Sequence, residues 1–273
     1  METHSTTTSK IDRFVVWLSR YWLFVINFLL AILVIAPITA PLFMKLGWNI
    51  PGRTIYGIYS FLCHQLPERS YFLFGPKISY SLSEIQPVWP FSNDATILRQ
   101  FIGNESFGWK IAWSDRMVSM FASLWIFAIL WSSLKGKIKP LPFWGLLTLF
   151  LPLIIDGTTH LISDFAGLGL GFRDTNSWLL SISNNAFPSS FYSGDAWGSF
   201  NAWMRLMTGV LFGFGTVWYT FPLLNEMFKN FLEEIKIKQK YQTIYRDEKM
   251  RLLQLDVETK PEDINSISKA SEQ

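Results

Sequence analysis

Asp156, His160 and Asp164 recur at intervals of four residues near the end of a long apolar run. On a helix that interval stacks the three side chains on one face. Cys63 and His64 are adjacent, and Arg116 and Arg205 each stand at the head of another apolar run. Thiolate, imidazole and carboxylate form a zinc-type donor set, so Cys63, His64, Asp156, His160 and Asp164 are candidate ligands for a divalent metal such as zinc. With an open coordination position, a metal-bound water would attack an ester or amide at the membrane surface. His160 and Asp156 would be ligands and Asp164 the base in that metal-assisted hydrolase. A second reading makes Asp156 and His160 a relay in an ion or proton pathway. A third is structural: Asp156–Arg205 or Asp164–Arg116 ion pairs lock helix ends, His160 is a satisfied interface residue, and Cys63 is a small buried hydrophobe.

These residues need elements to hold them, and the apolar runs supply them. A bilayer core about 30 Å thick takes roughly 20 apolar residues in a helix. Uncharged runs cover Tyr21 to Met44 (24 residues), Met117 to Leu134 (18), Pro140 to Ile155 (16, with the apolar pattern continuing to Ile162) and Leu206 to Asn225 (20). The expected fold is an all-α integral membrane protein with four transmembrane helices. The first run is too long for a signal-peptide core, and its only small-residue cleavage pattern is followed by Pro41, so it reads as an uncleaved anchor. Placed on the third helix, Asp156 lies about 7 Å from the midplane, a depth at which an ionisable group needs a partner, and Arg205 and Arg116 are the candidates.

Charge sets the orientation. Lys10, Arg13 and Arg20 precede the first span, Lys135, Lys137 and Lys139 fill the short second connection, and the segment 228–255 holds seven basic against four acidic residues. Between Ser163 and Ala202 the only basic residue is Arg173. The positive-inside rule then puts both termini in the cytoplasm of a plasma-membrane protein. The 45–116 loop carries seven basic residues over 72 positions, a length at which that rule loses force. Trp17, Tyr21 and Trp22 on one side, and Trp109, Trp113 and Trp203 on the other, are read as interface aromatics.

The expected organisation is a cytoplasmic tail at 1–20 and a membrane domain at 21–227 with structured outer-face loops at 45–116 and 163–202. A basic amphipathic cytoplasmic helix at 228–255, suited to weak contact with anionic lipid or a partner, and a disordered tail at 256–273 follow. Thr54 to Leu66 is expected to form a short interfacial or re-entrant helix stopped by Pro67, and Ser81 to Phe91 an irregular stretch. The Gly167–Gly171 run has no preceding strand and no following Gly-Lys-Ser/Thr, so turn chemistry explains it. Asn104-Glu105-Ser106 matches a glycosylation sequon. Gly209-x-x-x-Gly213 marks a close-packing face, a route to oligomers as well as to intramolecular packing.

Composition agrees: 16% of residues are charged against about 25% in soluble domains, and 17% are aromatic. One cysteine excludes an intramolecular disulfide and any multi-cysteine cluster. A net charge of +3 gives no reason to expect nucleic-acid binding.

Cys63-His64-Gln65-Leu66-Pro67-Glu68-Arg69-Ser70, then Pro152-x3-Asp156-Gly157-x2-His160 and Arg205-Leu206-Met207-Thr208-Gly209-x3-Gly213, resemble the family filed as domain of unknown function 2085. The matching blocks run from about Ile55 to Gly215. The resemblance implies a multi-pass prokaryotic membrane protein with no established activity. Many relatives have a C-x-R-C-x-G motif where this chain reads Ser114-Asp115-Arg116-Met117, which keeps the arginine and loses both cysteines. A soft metal or redox site of the relatives would here lean on carboxylates, and a cysteine-pair redox role is impossible within one chain. The function expected is an outer-face polar pocket for a metal or an anionic head group, the alternative being a non-enzymatic structural or partner-recruiting module.

Overall fold

The computed structural model describes residues 10–89, 94–135, 137 and 139–258. Four helices are long and apolar enough to cross a membrane: α1 (Lys10–Lys45), α5 (Asp115–Leu134), α6 (Phe143–Asp164) and α10 (Phe200–Glu258). Between them lie α2 (Asn49–Tyr59), β1 (Phe72–Leu73), α3 (Leu82–Ile85), α4 (Ala95–Leu98), β2 (Gly103–Asn104) and β3 (Gly108–Lys110), then α7 (Phe172–Thr175), α8 (Ser177–Ile182) and α9 (Ser189–Tyr192). The chain is an integral membrane protein of four transmembrane helices.

It divides into two compact units, 23–223 and a second made of the two terminal segments. In the terminal unit, Trp22 is buried and stacks on Phe228. Residues 10–20 are helical rather than a free tail, and 228–255 continue the fourth spanning helix without a break. The expected tails at 1–9 and 259–273, positions 90–91 of the irregular stretch, and positions 136 and 138 of the lysine-rich connection lie outside the described residues.

Prolines inside the helices connect the spans of the larger unit to what surrounds them. A helical proline removes the donor to the carbonyl four residues earlier. Pro37 thereby frees the Leu33 carbonyl, which accepts from Trp113 Nε1 at 3.0 Å and from the Tyr59 hydroxyl at 3.3 Å. Pro41 frees the Pro37 carbonyl, which accepts from the Ala112 N–H at 3.2 Å. Pro222 frees the Trp218 carbonyl, which accepts from the Leu141 N–H at 3.2 Å. Trp109 and Trp113 are therefore core residues, 8% and 2% exposed, and not the interface aromatics their position in sequence suggested.

The segment from α2 to β3 is a folded cap with its own interior. Tyr56, Tyr59, Cys63, Ile111, Ala112 and Trp113 pack on Ala40 and Met44 of α1. A second cluster holds Leu66, Phe72, Tyr80, Ile85, Leu98 and Phe101 together with Leu168. Strand β3 is central, antiparallel to β1 (Phe72 opposite Lys110) and to β2 (Asn104 opposite Gly108). Helix α2 ends at Tyr59, eight positions before Pro67. The chain turns at Gln65, which takes a left-handed φ of 52° while its Nε2 donates to the carbonyls of Tyr56 and Ala112. Asn104 of the sequon caps the β2–β3 turn, its Oδ1 accepting from the Ser106 and Phe107 amides.

Candidate functional site

Helices α5, α6 and α10 present charge at one end of the larger unit. Helix α5 begins with Asp115 and Arg116, which diverge by about 100° because a helix has 3.6 residues per turn. Asp115 meets Arg205 of α10 at 2.8 Å, and Arg116 Nη2 meets Asp156 Oδ2 of α6 at 2.7 Å. The loops on either side supply the remaining partners. Arg69, in the 3-10 turn Pro67–Arg69, grips Asp164 with both terminal nitrogens at 2.7 Å. Its Nε donates to Asp195 at 2.7 Å, and Asp195 also accepts from Arg205 at 2.6 Å. Arg173 of α7 donates to the second oxygen of Asp156 at 2.7 Å.

Two linked chains result: Asp164–Arg69–Asp195–Arg205–Asp115 and Arg116–Asp156–Arg173. The first has one carboxylate more than it has guanidiniums, and the second has one guanidinium more. Asp195 shows what this order does. Burial alone would raise its pKa, but Arg69 and Arg205 outweigh that and hold the carboxyl well below the usual range.

Local chemistry delivers Arg173. The loop from α6 passes so close that a Cβ at Gly171 would lie 2.0 Å from Ser163 Oγ, a contact only glycine allows. Ser163 Oγ then accepts the Arg173 N–H at 3.0 Å. The Arg173 carbonyl accepts from the side-chain amides of Asn176 and Asn201, both at 2.7 Å. Gly167 and Gly169 have φ of 103° and 78°, in keeping with a turn run rather than a phosphate cradle.

Of the two partners weighed for Asp156, Arg116 is the one it meets, at 2.7 Å. Asp156 does not pair with Arg205, nor Asp164 with Arg116: Arg205 is committed to Asp115 and Asp195, and Asp164 to Arg69. The proposed metal ligands are not assembled either. Among the described residues no group of three or more His, Cys, Asp or Glu is placed to hold a metal. Asp156 and Asp164 spend their oxygens on guanidiniums. Cys63 Sγ accepts the Gln65 and Ser114 amides at 3.4 and 3.3 Å, and His64 Nδ1 accepts the Leu66 amide at 3.0 Å.

The Cys63–Ser114 contact places the first block of the resemblance beside the start of α5, where the relatives' second motif would fall. Residues 105–219 match the family described as "Predicted membrane protein (DUF2085)". The DUF2085 match thus contains α5, α6 and the loop-borne Arg173 and Asp195, while Cys63 to Ser70 lies before it. An uncharacterised protein of Methanocaldococcus jannaschii is 26% identical over 218 residues, covering 77% of this chain and 96% of its own. No solved structure matches the chain.

A cavity of about 280 Å³ borders this charge network, lined among others by Cys63, Ser114, Arg116, Gly157, His160 and Asp164. His160 is 4% exposed, and its Nε2 lies 3.2 Å from Arg173 Nη2. A guanidinium only donates, so Nε2 accepts and the ring proton sits on Nδ1. That Nδ1 has no hydrogen-bond partner among the described residues. Arg116 uses only Nη2 on Asp156, and Gly157 leaves room for its Nη1, which would be 2.9 Å from a Cβ there.

No sequence pattern assigns Arg69, Arg173, Asp115 or Asp195 to the site. Arg173 and Asp195 carry one usable signal, being charged residues in a loop otherwise poor in charge. Beneath the network, Lys110 is fully buried, its Nζ donating to the Gln65 and Arg99 carbonyls at 2.7 and 2.6 Å. Burial pushes Lys110 down to about 7 against the pull of Glu68. Burial likewise pushes Glu68 up to about 7 against the pull of Arg69. Because the folded pKa of Glu68 exceeds its ordinary 4.5, its stabilising contribution is full below pH 4.5 and is lost as pH rises to about 7. Lys110 acts above that window, costing stability as pH falls toward 7. Glu68→Gln is therefore expected to make the fall in unfolding free energy between pH 4.5 and 7.5 shallower by about 3 kcal/mol. Thermal unfolding in detergent across that range measures it, and an unchanged slope would show that Glu68 is ionised in the fold.

Proposed function

We propose that the protein binds an anionic group, of phosphate or carboxylate type, in the cavity between Ser114, Arg116 and His160. The observation that carries this reading is the buried Nδ1–H of His160, a donor with no protein acceptor, beside an arginine with nitrogens to spare. A buried donor left unpaired costs about 1–3 kcal/mol, and an entering anion recovers that cost. Arg116, which spends only Nη2 on Asp156, supplies the matching charge, while Asp164 on the same cavity is already held by Arg69. A metal would need the carboxylates that the arginines already hold.

The charge distribution supports an outer-face position for the cavity, with both termini cytoplasmic in a plasma membrane. The basic continuation of α10 over 228–255 makes weak contact with anionic lipid. The role is that of a membrane-bound receptor or carrier site for an anion, presented as a lipid head group or as a free ion.

Two probes separate those sources: inorganic phosphate, and a short-chain phosphatidic acid, each titrated into the purified full chain with thermal unfolding as readout. Arg116→Gln and His160→Leu are each expected to weaken binding by roughly tenfold, about 1.4 kcal/mol. Asp156 keeps Arg173 in the first variant, so the fold survives. Stabilisation by the lipid alone identifies a head-group site, and stabilisation by both identifies a free-anion site. No stabilisation by either, or unchanged binding in Arg116→Gln, overturns the proposal.

A further inference from the structure

A second concavity, a groove of about 910 Å³, runs along α6 toward α7, α8 and the first turns of α10. Its walls are Leu151, Ile155, Phe172, Trp178, Phe200 and Met204. From Thr148 to Thr159 it covers about 16 Å of α6 at 1.5 Å per residue, well inside the span. Leu151 and Ile155 are 53% and 54% exposed, so the groove opens sideways from the bundle at the depth of the hydrocarbon core.

Apart from Thr148, whose Oγ1 is spent on the Trp144 carbonyl, the polar side chains of the groove come from Asp156, Thr159, Arg173 and Ser177. Asp156, Thr159 and Arg173 are fully engaged with one another and with Asn201. Ser177 and Trp178 also line the groove, and neither Ser177 Oγ nor Trp178 Nε1 donates to any described residue. A tryptophan with an apolar body and an unspent N–H is the residue type that marks the ester level of a bilayer. An occupant must therefore be a hydrocarbon chain with an acceptor at its polar end.

We propose that this groove is a binding site for one acyl chain of a bilayer glycerolipid, its ester oxygens received by Trp178 and Ser177. A chain lying in a groove touches protein on several sides, whereas one lying on a convex helix face touches it on one. Dispersion contacts then favour the groove over the general lipid boundary. The site is separate from the anion cavity and does not depend on that reading.

The test uses the full chain in vesicles of phosphatidylethanolamine and phosphatidylglycerol, doped with a phosphatidylglycerol carrying a diazirine along one acyl chain. After irradiation, adducts are mapped by peptide mass spectrometry. Peptides bearing 148–159 and 200–204 are expected to be labelled roughly tenfold above the peptide bearing Ile126, Ile129 and Leu130, an exposed apolar face of α5. Met204→Trp, which fills the groove, is expected to bring groove labelling down to the α5 level and leave α5 labelling unchanged. Should that variant fail to fold, Leu151→Trp fills the groove from the opposite wall. Even labelling of the two faces, or groove labelling indifferent to either tryptophan, overturns the proposal. So does an unlabelled groove in a chain that native mass spectrometry finds dimeric, which would assign that face to a second copy.

Discussion

Arg205→Met is expected to abolish most of the folded yield in detergent, and Asp115→Asn is expected to restore part of it. Arg205 is 2% exposed and joins Asp115 to Asp195 at 2.8 and 2.6 Å. Removing it strands a buried carboxylate, at a cost of about 3–5 kcal/mol, a large part of a typical 5–15 kcal/mol of net stability. Asp195 keeps Arg69, so the uncompensated charge is Asp115. An asparagine there still accepts from the Arg116 amide, a bond Asp115 makes at 2.7 Å, and removes the stranded charge. Asp156→Asn should give no such relief, because Asp156 belongs to the other chain of pairs. Monodisperse yield by size-exclusion chromatography and the thermal midpoint of the two double variants measure the difference. Relief by Asp156→Asn in place of Asp115→Asn would refute the pairing scheme.

The second large effect concerns the α5–α10 seam. A Cβ at Gly213 would meet Ser123 Oγ at 2.2 Å and the Leu124 backbone nitrogen at 2.6 Å. At Gly209 it would meet Ser119 Oγ at 2.4 Å. Without a favourable apolar–water term between helices in lipid, association rests on such close packing and on interhelical hydrogen bonds. Both bonds are present: Ser119 Oγ donates to the Leu206 carbonyl at 2.6 Å, and Ser123 Oγ to the Gly209 carbonyl at 3.0 Å. Gly213→Ala is expected to push the helices apart and cost about 2–3 kcal/mol. Gly215→Ala introduces the same methyl against Leu149 at 3.2 Å, where a side chain can give way, and should stay within about 0.5 kcal/mol. Equal losses in the two variants would mean that helix propensity, not the seam, governs both.

The Gly209–Gly213 seam was legible because it is a local pattern: two small residues one turn apart on an apolar run admit few readings. The four spans were legible for the same reason, since the bilayer demands about 20 apolar residues wherever a helix crosses it. The sharing of one helix face by Asp156 and His160 also followed from spacing alone, and both are buried at 1% and 4% exposure.

Partner choice could not be read this way. Arg69 reaches Asp195 across 126 positions and Arg205 reaches Asp115 across 90, so no local period links them. Asp115 and Arg116 are neighbours in the chain yet serve different helices, because one residue of helical rotation separates α10 from α6 as targets. The candidate metal ligands failed on the same point. Residue types suited to zinc are equally suited to guanidinium, and only the placement of Arg69 and Arg173 by distant loops decided between them. Hydropathy and helical period act over single elements and so were determined by the sequence directly. Which charge meets which, and whether a cavity is left between them, depends on the rotation and approach of whole elements and exists only in the tertiary structure.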